Sequence, residues 1–185
     1  MLLKGALHVH TTCSDGNLTP AQAIRAYEAR GFDFIALTDH DFLMRPGCYD
    51  QVRAVWTDMI VFFGVEKTVF EKGYLHVNRI EGDSEVLHVF NHPAELDLPL
   101  HKVKERIREV AKQLPLDAVE VTSKGFYSPE YDIPEIPYPK VATDDSHNKS
   151  MCGRAWIEME CPRDKDAILR AVKEGDFWKC FANRR

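Results

Sequence analysis

The hydrophobic and polar positions of the chain follow two periods in alternation, which predict strands and helices in turn. Apolar residues return at helical spacing in four segments, and short apolar or alternating runs predict the strands. The predicted helices cover 19–31, 49–56, 103–114 and 164–174. The predicted strands cover 7–16, 32–38, 59–65, 68–70, 74–80, 86–91, 118–122, 140–143 and 155–160. No helix pattern fits between 59 and 92, so the alternation of strand and helix breaks there.

The first predicted strand carries two histidines, His8 and His10, two positions apart. Because side chains alternate along a strand, both point to one face, while Leu7 and Val9 point to the other. Two neighbouring imidazoles make half of a metal site. Taken alone, the same pattern also fits two solvated histidines, so its meaning depends on the rest of the chain.

Other predicted strands end in residues of the same chemistry. The further candidates are Asp15, His40, Glu66, His76, His92, Asp145 and His147. With the first two histidines they make nine candidate ligands, six imidazoles and three carboxylates. This mixture suits zinc, manganese or iron and does not suit calcium or magnesium alone. At three or four protein ligands for each ion, the set predicts two or three divalent ions.

Composition limits the protein to a few classes. A chain of 185 residues predicts one domain over 1–185, and 44% hydrophobic with 29% charged residues is ordinary for a globular protein. No apolar run reaches membrane-spanning length, and no secretory signal is recognisable, so we expect a cytoplasmic protein without a membrane partner. A net charge of -5 argues against a stable nucleic-acid complex. Five cysteines without a C-x-x-C pair make a disulfide framework or zinc knuckle unexpected. The oligomeric state is left open.

Six motifs in order resemble a known family. These are His8-Val9-His10-Thr11 leading to Ser14-Asp15-Gly16, then Thr38-Asp39-His40, Gly64-Val65-Glu66, His92-Pro93, Asp145-Ser146-His147 and Gly175-Asp176-Phe177-Trp178. Together they look like the polymerase and histidinol phosphatase (PHP) family. The resemblance implies an α/β fold, a compact and distorted seven-stranded β/α barrel with up to three metal ions at its C-terminal mouth.

The resemblance also implies a division of the ligands among the ions. One ion would be held by His8, His10, Glu66 and Asp145. A second would share Glu66 and add His76 and His92, and a third would be held by Asp15, His40 and His147. Catalytic roles fall to Glu66, Asp145 and His147. Asp39 points to the opposite strand face, so we interpret it as a hydrogen-bonding residue that supports the site.

The function implied is hydrolysis of a phosphoester by a metal-bound hydroxide at a di- or trinuclear site. Three carboxylates and three divalent ions leave the pocket positive, which favours an anionic substrate. We expect a small phosphorylated metabolite, a nucleotide or a short oligonucleotide. Arg45 and Arg154 follow strand ends and are the predicted phosphate-binding residues, because guanidinium groups bind phosphate through two hydrogen bonds.

Two other functions are compatible with the same residues. One is hydrolysis of a C–N bond, as in amidohydrolase-like barrels, and the other is a non-catalytic metal-binding module. Glu120, at the end of a predicted strand, fits either a supporting role behind a ligand or simple solvation. The proline-rich and aromatic segment 123–139 is predicted to be a loop, either a lid over the substrate or a replacement for a barrel helix.

Overall fold

The computed structural model describes residues 1–182. The helices are α1 (Pro20–Glu28), α2 (Cys48–Arg53), α3 (Leu100–Ala111) and α4 (Lys165–Glu174). The first six strands are β1 (Leu2–Val9), β2 (Phe34–Leu37), β3 (Ile60–Phe70), β4 (Tyr74–Glu81), β5 (Val86–Phe90) and β6 (Ala118–Glu120). The others are β7 (Thr122–Ser123), β8 (Phe126–Tyr127), β9 (Lys140–Val141), β10 (Ala155–Glu160) and β11 (Trp178–Phe181). Short 3₁₀ turns cover Pro93–Leu96 and Pro129–Tyr131.

The main sheet is nearly closed into a barrel. Its strand order is β11, β10, β1, β2, β3, β4, β5, β6, β9, while β7 and β8 form a small separate sheet. Beyond β9, Ser146 bridges back to Val9 in parallel, and His10 N–H donates to the Ser146 carbonyl over 3.0 Å. The path from β1 to β9 therefore returns to its own start at the mouth.

The seven strands that the family resemblance implied are too few, because the main sheet has nine among residues 1–182. β10 pairs with the first half of β1 in antiparallel fashion, and β11 pairs with β10. The second half of β1 is thereby left to pair with Ser146 on the same side. These two antiparallel strands extend the sheet beyond the ring that forms the mouth.

β1 departs from the simple alternation that its sequence predicts. Its pairing with β2 shifts register between Ala6 and Val9. Leu7 consequently packs in the same core cluster as Phe34, whereas Val9 packs with α1 in another cluster. The prediction that Leu7 and Val9 share a face is wrong, because an irregularity in a strand exchanges its two faces. The strand also ends at Val9, and the predicted continuation to residue 16 is a turn.

Three apolar clusters hold the fold together. The first joins side chains of the barrel strands to Ile168, Leu169 and Val172 of α4. The second packs α1 against β1 and β2, and the third packs α3 against β4, β5 and β6. The helical apolar stripes predicted from the sequence are therefore the buried faces of these helices.

α1 shows why its segment is helical. The Thr19 side chain accepts a hydrogen bond from Gln22 N–H, and the Gln22 side chain accepts one from Thr19 N–H, which together satisfy two free donors of the first turn. Pro20 follows at the first helical position, where its missing N–H costs nothing. The predicted start of this helix is confirmed.

β3 is one long strand where the sequence predicts two, at 59–65 and 68–70. It pairs with β4 in a hairpin. β3 runs unbroken through Glu66 to Phe70, and its register with β4 is continuous from Phe63 opposite Glu81 to Phe70 opposite Tyr74. Glu66 thus lies within a strand rather than after one. The polar residues 66–68 interrupt the apolar run and therefore predict a break. A strand that extends beyond the barrel, however, no longer needs apolar side chains.

Cys13 and Cys48 form a disulfide, with a Cα–Cα distance of 5.7 Å. The cysteine count did not predict this bond, since the two residues are 35 positions apart and no spacing motif marks them. The bond ties the turn after β1 to the start of α2. Among residues 1–182, no helix is long and apolar enough to cross a membrane.

We predict that Phe34→Ala lowers the free energy of unfolding by about 3–5 kcal/mol, because the ring is 0% exposed inside the first cluster and its loss leaves a cavity. Phe126→Ala is the matched control, since that ring is 65% exposed, and a change below about 1 kcal/mol is expected. Urea unfolding of both variants measures the difference. Equal losses in the two variants would contradict the assigned core.

Candidate metal centre

All nine candidate ligands lie at one end of the barrel. His8 lies near the end of β1 and His10 directly follows the strand, His40 follows β2, and Glu66 lies in β3. His76 belongs to β4, which runs antiparallel to β3, so its first half meets the same end. His92 follows β5, and Asp145 and His147 follow β9. Asp15 reaches the same place from the turn after β1.

The innermost group consists of His8, His10, Glu66 and Asp145. The Nε2 atoms of His8 and His10 are 3.0 Å apart. Each lies 3.3 Å from a different Glu66 oxygen, and they lie 3.4 and 3.3 Å from Asp145 Oδ1. Tetrahedral ligands at metal distances of 2.0–2.2 Å are about 3.3–3.6 Å apart. The spacing of these atoms therefore fits one shared ion.

Glu66 also faces three further imidazoles. His40 Nδ1 lies 3.0 Å from its Oε2, while His76 Nδ1 and His92 Nε2 lie 3.3 and 3.1 Å from its Oε1. Both carboxylate oxygens thus have nitrogen neighbours on more than one side. A carboxylate in this position can bridge two ions.

The outer group contains Asp15, His40 and His147 together with His10. Asp15 Oδ2 lies 3.6 Å from His40 Nε2 and 3.4 Å from His147 Nε2. The rings of His10 and His147 stack with centroids 4.2 Å apart. His10 presents its Nδ1 to Asp15, at 3.4 Å, and its Nε2 to the inner group, so it joins the two.

Three buried ligand atoms have no hydrogen-bond partner in the part of the chain that the structure describes: His10 Nδ1, His40 Nδ1 and Asp145 Oδ1. His40 Nδ1 is only 3.0 Å from Glu66 Oε2, yet the two atoms are not aligned for a hydrogen bond. Buried polar atoms without partners are costly. Their presence in a donor set of imidazoles and carboxylates is what a metal centre requires, so the residues fit divalent ions of the zinc, manganese and iron type.

The site charges shift the pKa values of its own members. Burial alone would raise the pKa of Glu66, but the surrounding imidazoles hold it well below its usual range. Burial alone would lower the pKa of His10, but the neighbouring carboxylates of Asp145, Asp15 and Glu66 raise it to about 10. Without metal, His10 therefore carries a proton at neutral pH, which offsets part of the negative charge of the carboxylates.

Two buried amides, which no sequence pattern predicts, hold Glu66 in place. Asn91 donates to Glu66 Oε1 over 2.8 Å and to the Asn78 side chain over 2.9 Å. Asn78 in turn donates to the Leu7 carbonyl over 3.2 Å. No periodic signal marks such residues, because a polar residue inside a strand resembles any solvent-facing position.

Glu120 lies directly behind His8. It is fully buried, and its Oε1 lies 2.8 Å from His8 Nδ1 and accepts from the Thr143 hydroxyl over 2.7 Å. Its Oε2 accepts from His92 N–H over 2.7 Å. The supporting role that the sequence left open for Glu120 is therefore the one observed, since such contacts fix imidazole orientation.

Asp39 supports the turn that carries Asp15. It accepts from Thr11 N–H and the Thr11 hydroxyl, each over 2.8 Å, and from the Ser14 hydroxyl over 2.6 Å. This agrees with its interpretation as a supporting residue. It also leaves Ser14 engaged in local hydrogen bonding.

The segment after β9 is held by a buried network. The Tyr27 hydroxyl donates to Asp144 over 2.8 Å and lies 2.7 Å from the Ser146 hydroxyl. Burial raises the pKa of Asp144 to about 7, even though Tyr27 and Gly153 N–H donate to it. Between Asp144 and Ser146, Asp145 has a φ of +43°, which is strained for a side chain of its type. Tyr27 therefore helps to fix the backbone of a candidate ligand.

The two predicted phosphate-binding arginines stand apart from these contacts. Arg45 is exposed, and its backbone N–H donates to the Cys13 carbonyl over 3.0 Å. Arg154 is half-buried, with its guanidinium 5.5 Å from the Phe126 ring centre and bonded to the Lys124 carbonyl over 3.3 Å. Their role toward a substrate stays a prediction.

We predict that Tyr27→Phe lowers the free energy of unfolding by about 1–3 kcal/mol, because Asp144 and Ser146 lose a buried partner. Tyr74→Phe is the control, since that hydroxyl is on an exposed residue. Chemical unfolding of the metal-free proteins measures both. A Tyr27→Phe protein as stable as the control would show that the network contributes nothing.

No family model and no curated protein matches the chain, but solved structures do. One is a two-domain protein from Bacteroides vulgatus containing a "predicted PHP-like metal-dependent phosphoesterase". It has a TM-score of 0.72 and 20% identity over 98% of this chain, which spans 65% of that protein. An amidohydrolase from Chromobacterium violaceum, with bound sulfate and no metal, has a TM-score of 0.67 and 16% identity over 95% of this chain and 97% of its own.

PsfC from Pseudomonas syringae has a TM-score of 0.67 and 11% identity, over 99% of this chain and 93% of its own. At such identities a likeness concerns the fold. The chain has a mixed α/β fold with a nearly closed barrel, similar to that of the Bacteroides vulgatus protein.

Proposed function

We propose that the chain is a metal-dependent hydrolase that acts on phosphoric esters at the mouth of the barrel. One observation carries the proposal, namely the convergence of six imidazoles and three carboxylates at ligand spacing. The name of the Bacteroides vulgatus neighbour supports the same reaction class. The substrate is a small phosphorylated molecule.

Two or three divalent ions, of zinc, manganese or iron, would be shared among the nine residues. The inner ion falls to His8, His10, Glu66 and Asp145, and the next to Glu66, His76 and His92. The third falls to Asp15, His40 and His147. When bound, such ions supply Lewis acidity and lower the pKa of a coordinated water. The catalytic assignments are Glu66, Asp145 and His147.

The protein supplies rigidity around these groups. Glu66 is held by Asn91 and His8 by Glu120. Asp145 is held through its two neighbours, since Asp144 binds Tyr27 and Ser146 pairs with β1. Ligands held in this way need little rearrangement when ions or substrate bind. His147 is half-buried, with its ring against His10, so it lies at the solvent side of the group where a substrate enters.

Hydrolysis of a C–N bond is the second candidate, because the Chromobacterium violaceum neighbour is described as an amidohydrolase. Glu66, which would be shared between two ions, favours phosphoester chemistry. Amidohydrolase-like barrels commonly use a lysine-derived carbamate or an extra aspartate at this position. A panel that contains p-nitrophenyl phosphate, bis(p-nitrophenyl) phosphate and acylated amines separates the two. Turnover of amides alone would reverse the order of the two functions.

We predict that Glu66→Gln and Asp145→Asn each lower the rate on phosphoesters by about 100-fold or more and reduce the bound metal, because each removes a charged ligand from the inner group. Glu160→Gln is the matched control, as it is an exposed residue of β10. Elemental analysis and rates on the same samples measure both effects. Full activity in either site variant would contradict the proposal.

Metal binding is expected to release protons at pH 7. His10 has a pKa raised to about 10 in the metal-free protein and must be deprotonated to bind an ion. Metal affinity should therefore rise as the pH rises from 6 toward about 10. Calorimetry in buffers of different ionisation enthalpy counts the protons. Binding without proton release, or an affinity that falls with pH, would show that the histidines are not ligands.

A further inference from the structure

The β3–β4 hairpin ends in an exposed aromatic pair. Phe70 is 68% exposed and Tyr74 is 75% exposed, although the two residues are directly opposed in the register. Their ring centres lie 5.5 Å apart at 70°. Such a cross-strand pair stabilises the hairpin. Most of each side chain nevertheless faces solvent and is available to a ligand.

The strand register places this pair on the face that carries the metal centre. Opposed residues of an antiparallel pair share a face, and every second pair returns to it. Glu66 lies opposite Asn78, Thr68 opposite His76, and Phe70 opposite Tyr74, with no break in register. His76 and Glu66 are members of the candidate centre. The aromatic pair is therefore the next step along the same face, about 7 Å beyond His76.

A third exposed aromatic borders the same side of the centre. Phe42 is 66% exposed, and its ring centre lies 5.5 Å from that of His40. The hydrogen bond from Asp41 N–H to the Glu66 carbonyl, 3.1 Å long, holds this segment beside β3. The His40 and His76 rings are themselves 5.1 Å apart. Apolar ring surface thus adjoins the imidazoles from two neighbouring segments.

We propose that Phe70 and Tyr74 bind the base of a nucleoside monophosphate whose phosphoryl group lies at the centre, with Phe42 bordering the path between the two. The proposal rests on the function proposed above and names its substrate class. A base and a phosphate are separated by a sugar, which fits an aromatic pair set beyond His76 rather than against it. Aromatic stacking adds affinity without selecting one base, since every base has a π face.

The test compares adenosine 5′-monophosphate with ribose 5-phosphate, which carries the same phosphorylated sugar without the base. The full chain is loaded with Mn²⁺, and kcat/KM is measured for both. We expect the adenosine compound to be favoured, and the ratio of the two constants to fall about tenfold or more in Phe70→Ala and Tyr74→Ala. Tyr74→Phe keeps the ring and should keep the ratio. Phe70→Leu, which keeps an apolar side chain, should lose it.

Trp178→Ala is the matched control, because this exposed aromatic lies at the start of β11 opposite Glu158, toward the end of the barrel away from the centre. Its ratio should equal that of the unaltered protein. Equal ratios in all variants would overturn the proposal. A change in self-association of Phe70→Ala and Tyr74→Ala, seen by light scattering without a change in ratio, would also overturn it. The aromatic pair would then contact a second copy of the chain and not a base.

Failure of the proposed function gives a different result. If neither phosphate is hydrolysed, calorimetric binding of the two compounds to the Mn²⁺-loaded protein decides the matter. Tighter binding of adenosine 5′-monophosphate that is lost in Phe70→Leu but kept in Trp178→Ala would support the aromatic subsite. Equal binding of both compounds would overturn it.

Discussion

A buried carboxylate surrounded by imidazoles is the interaction on which the rest of this structure depends. Glu66 is 1% exposed, and nitrogen atoms of five histidines lie within 3.3 Å of its two oxygens. A buried charge is stable only when it is paired and hydrogen-bonded. Here the partners come from β1, β4 and the ends of β2 and β5, so the carboxylate joins four parts of the barrel mouth. Positive charge at this point, from protons or from metal ions, therefore stabilises the mouth of the barrel.

The backbone conformation positions the candidate ligands around that carboxylate. The hairpin of β3 and β4 extends beyond the barrel and carries Glu66 and His76 on one face. His92 and Asp145 adopt φ values of +26° and +43°, which are costly for such residues. Each is held by its neighbours, His92 through Glu120 and Asp145 through the bridge of Ser146 to β1. Strain at two candidate ligands is therefore balanced by buried hydrogen bonds.

The spacing of residues predicted much of this site, because strand geometry is regular. The pair His8 and His10 shares a face as alternation requires, and the polar ends of β2, β5 and β9 meet at one end as parallel strands do. The irregularity after Ala6 could not be foreseen, since it depends on the pairing with β2. No sequence pattern marks Asn78, Asn91 or Tyr27 as part of the site, because their partners are far away in the chain.

The predictions of the strand count and of the disulfide were wrong for the same reason. β11 and the Cys13–Cys48 bond are set by which segments meet in space, and no local pattern records this. β3 was divided into two predicted strands, 59–65 and 68–70, because the polar residues between them resemble a turn. Local periodicity thus predicts which face a side chain takes, while long-range pairing decides where a strand ends and what lies beside it.

Anomalous X-ray scattering from crystals grown with Mn²⁺ or Zn²⁺ tests the role of Glu66 most directly. We expect at least two ions on the two sides of the Glu66 carboxylate, one between His8, His10 and Asp145 and another toward His76 and His92. No anomalous peak at Glu66, or ions bound only elsewhere on the surface, would contradict it.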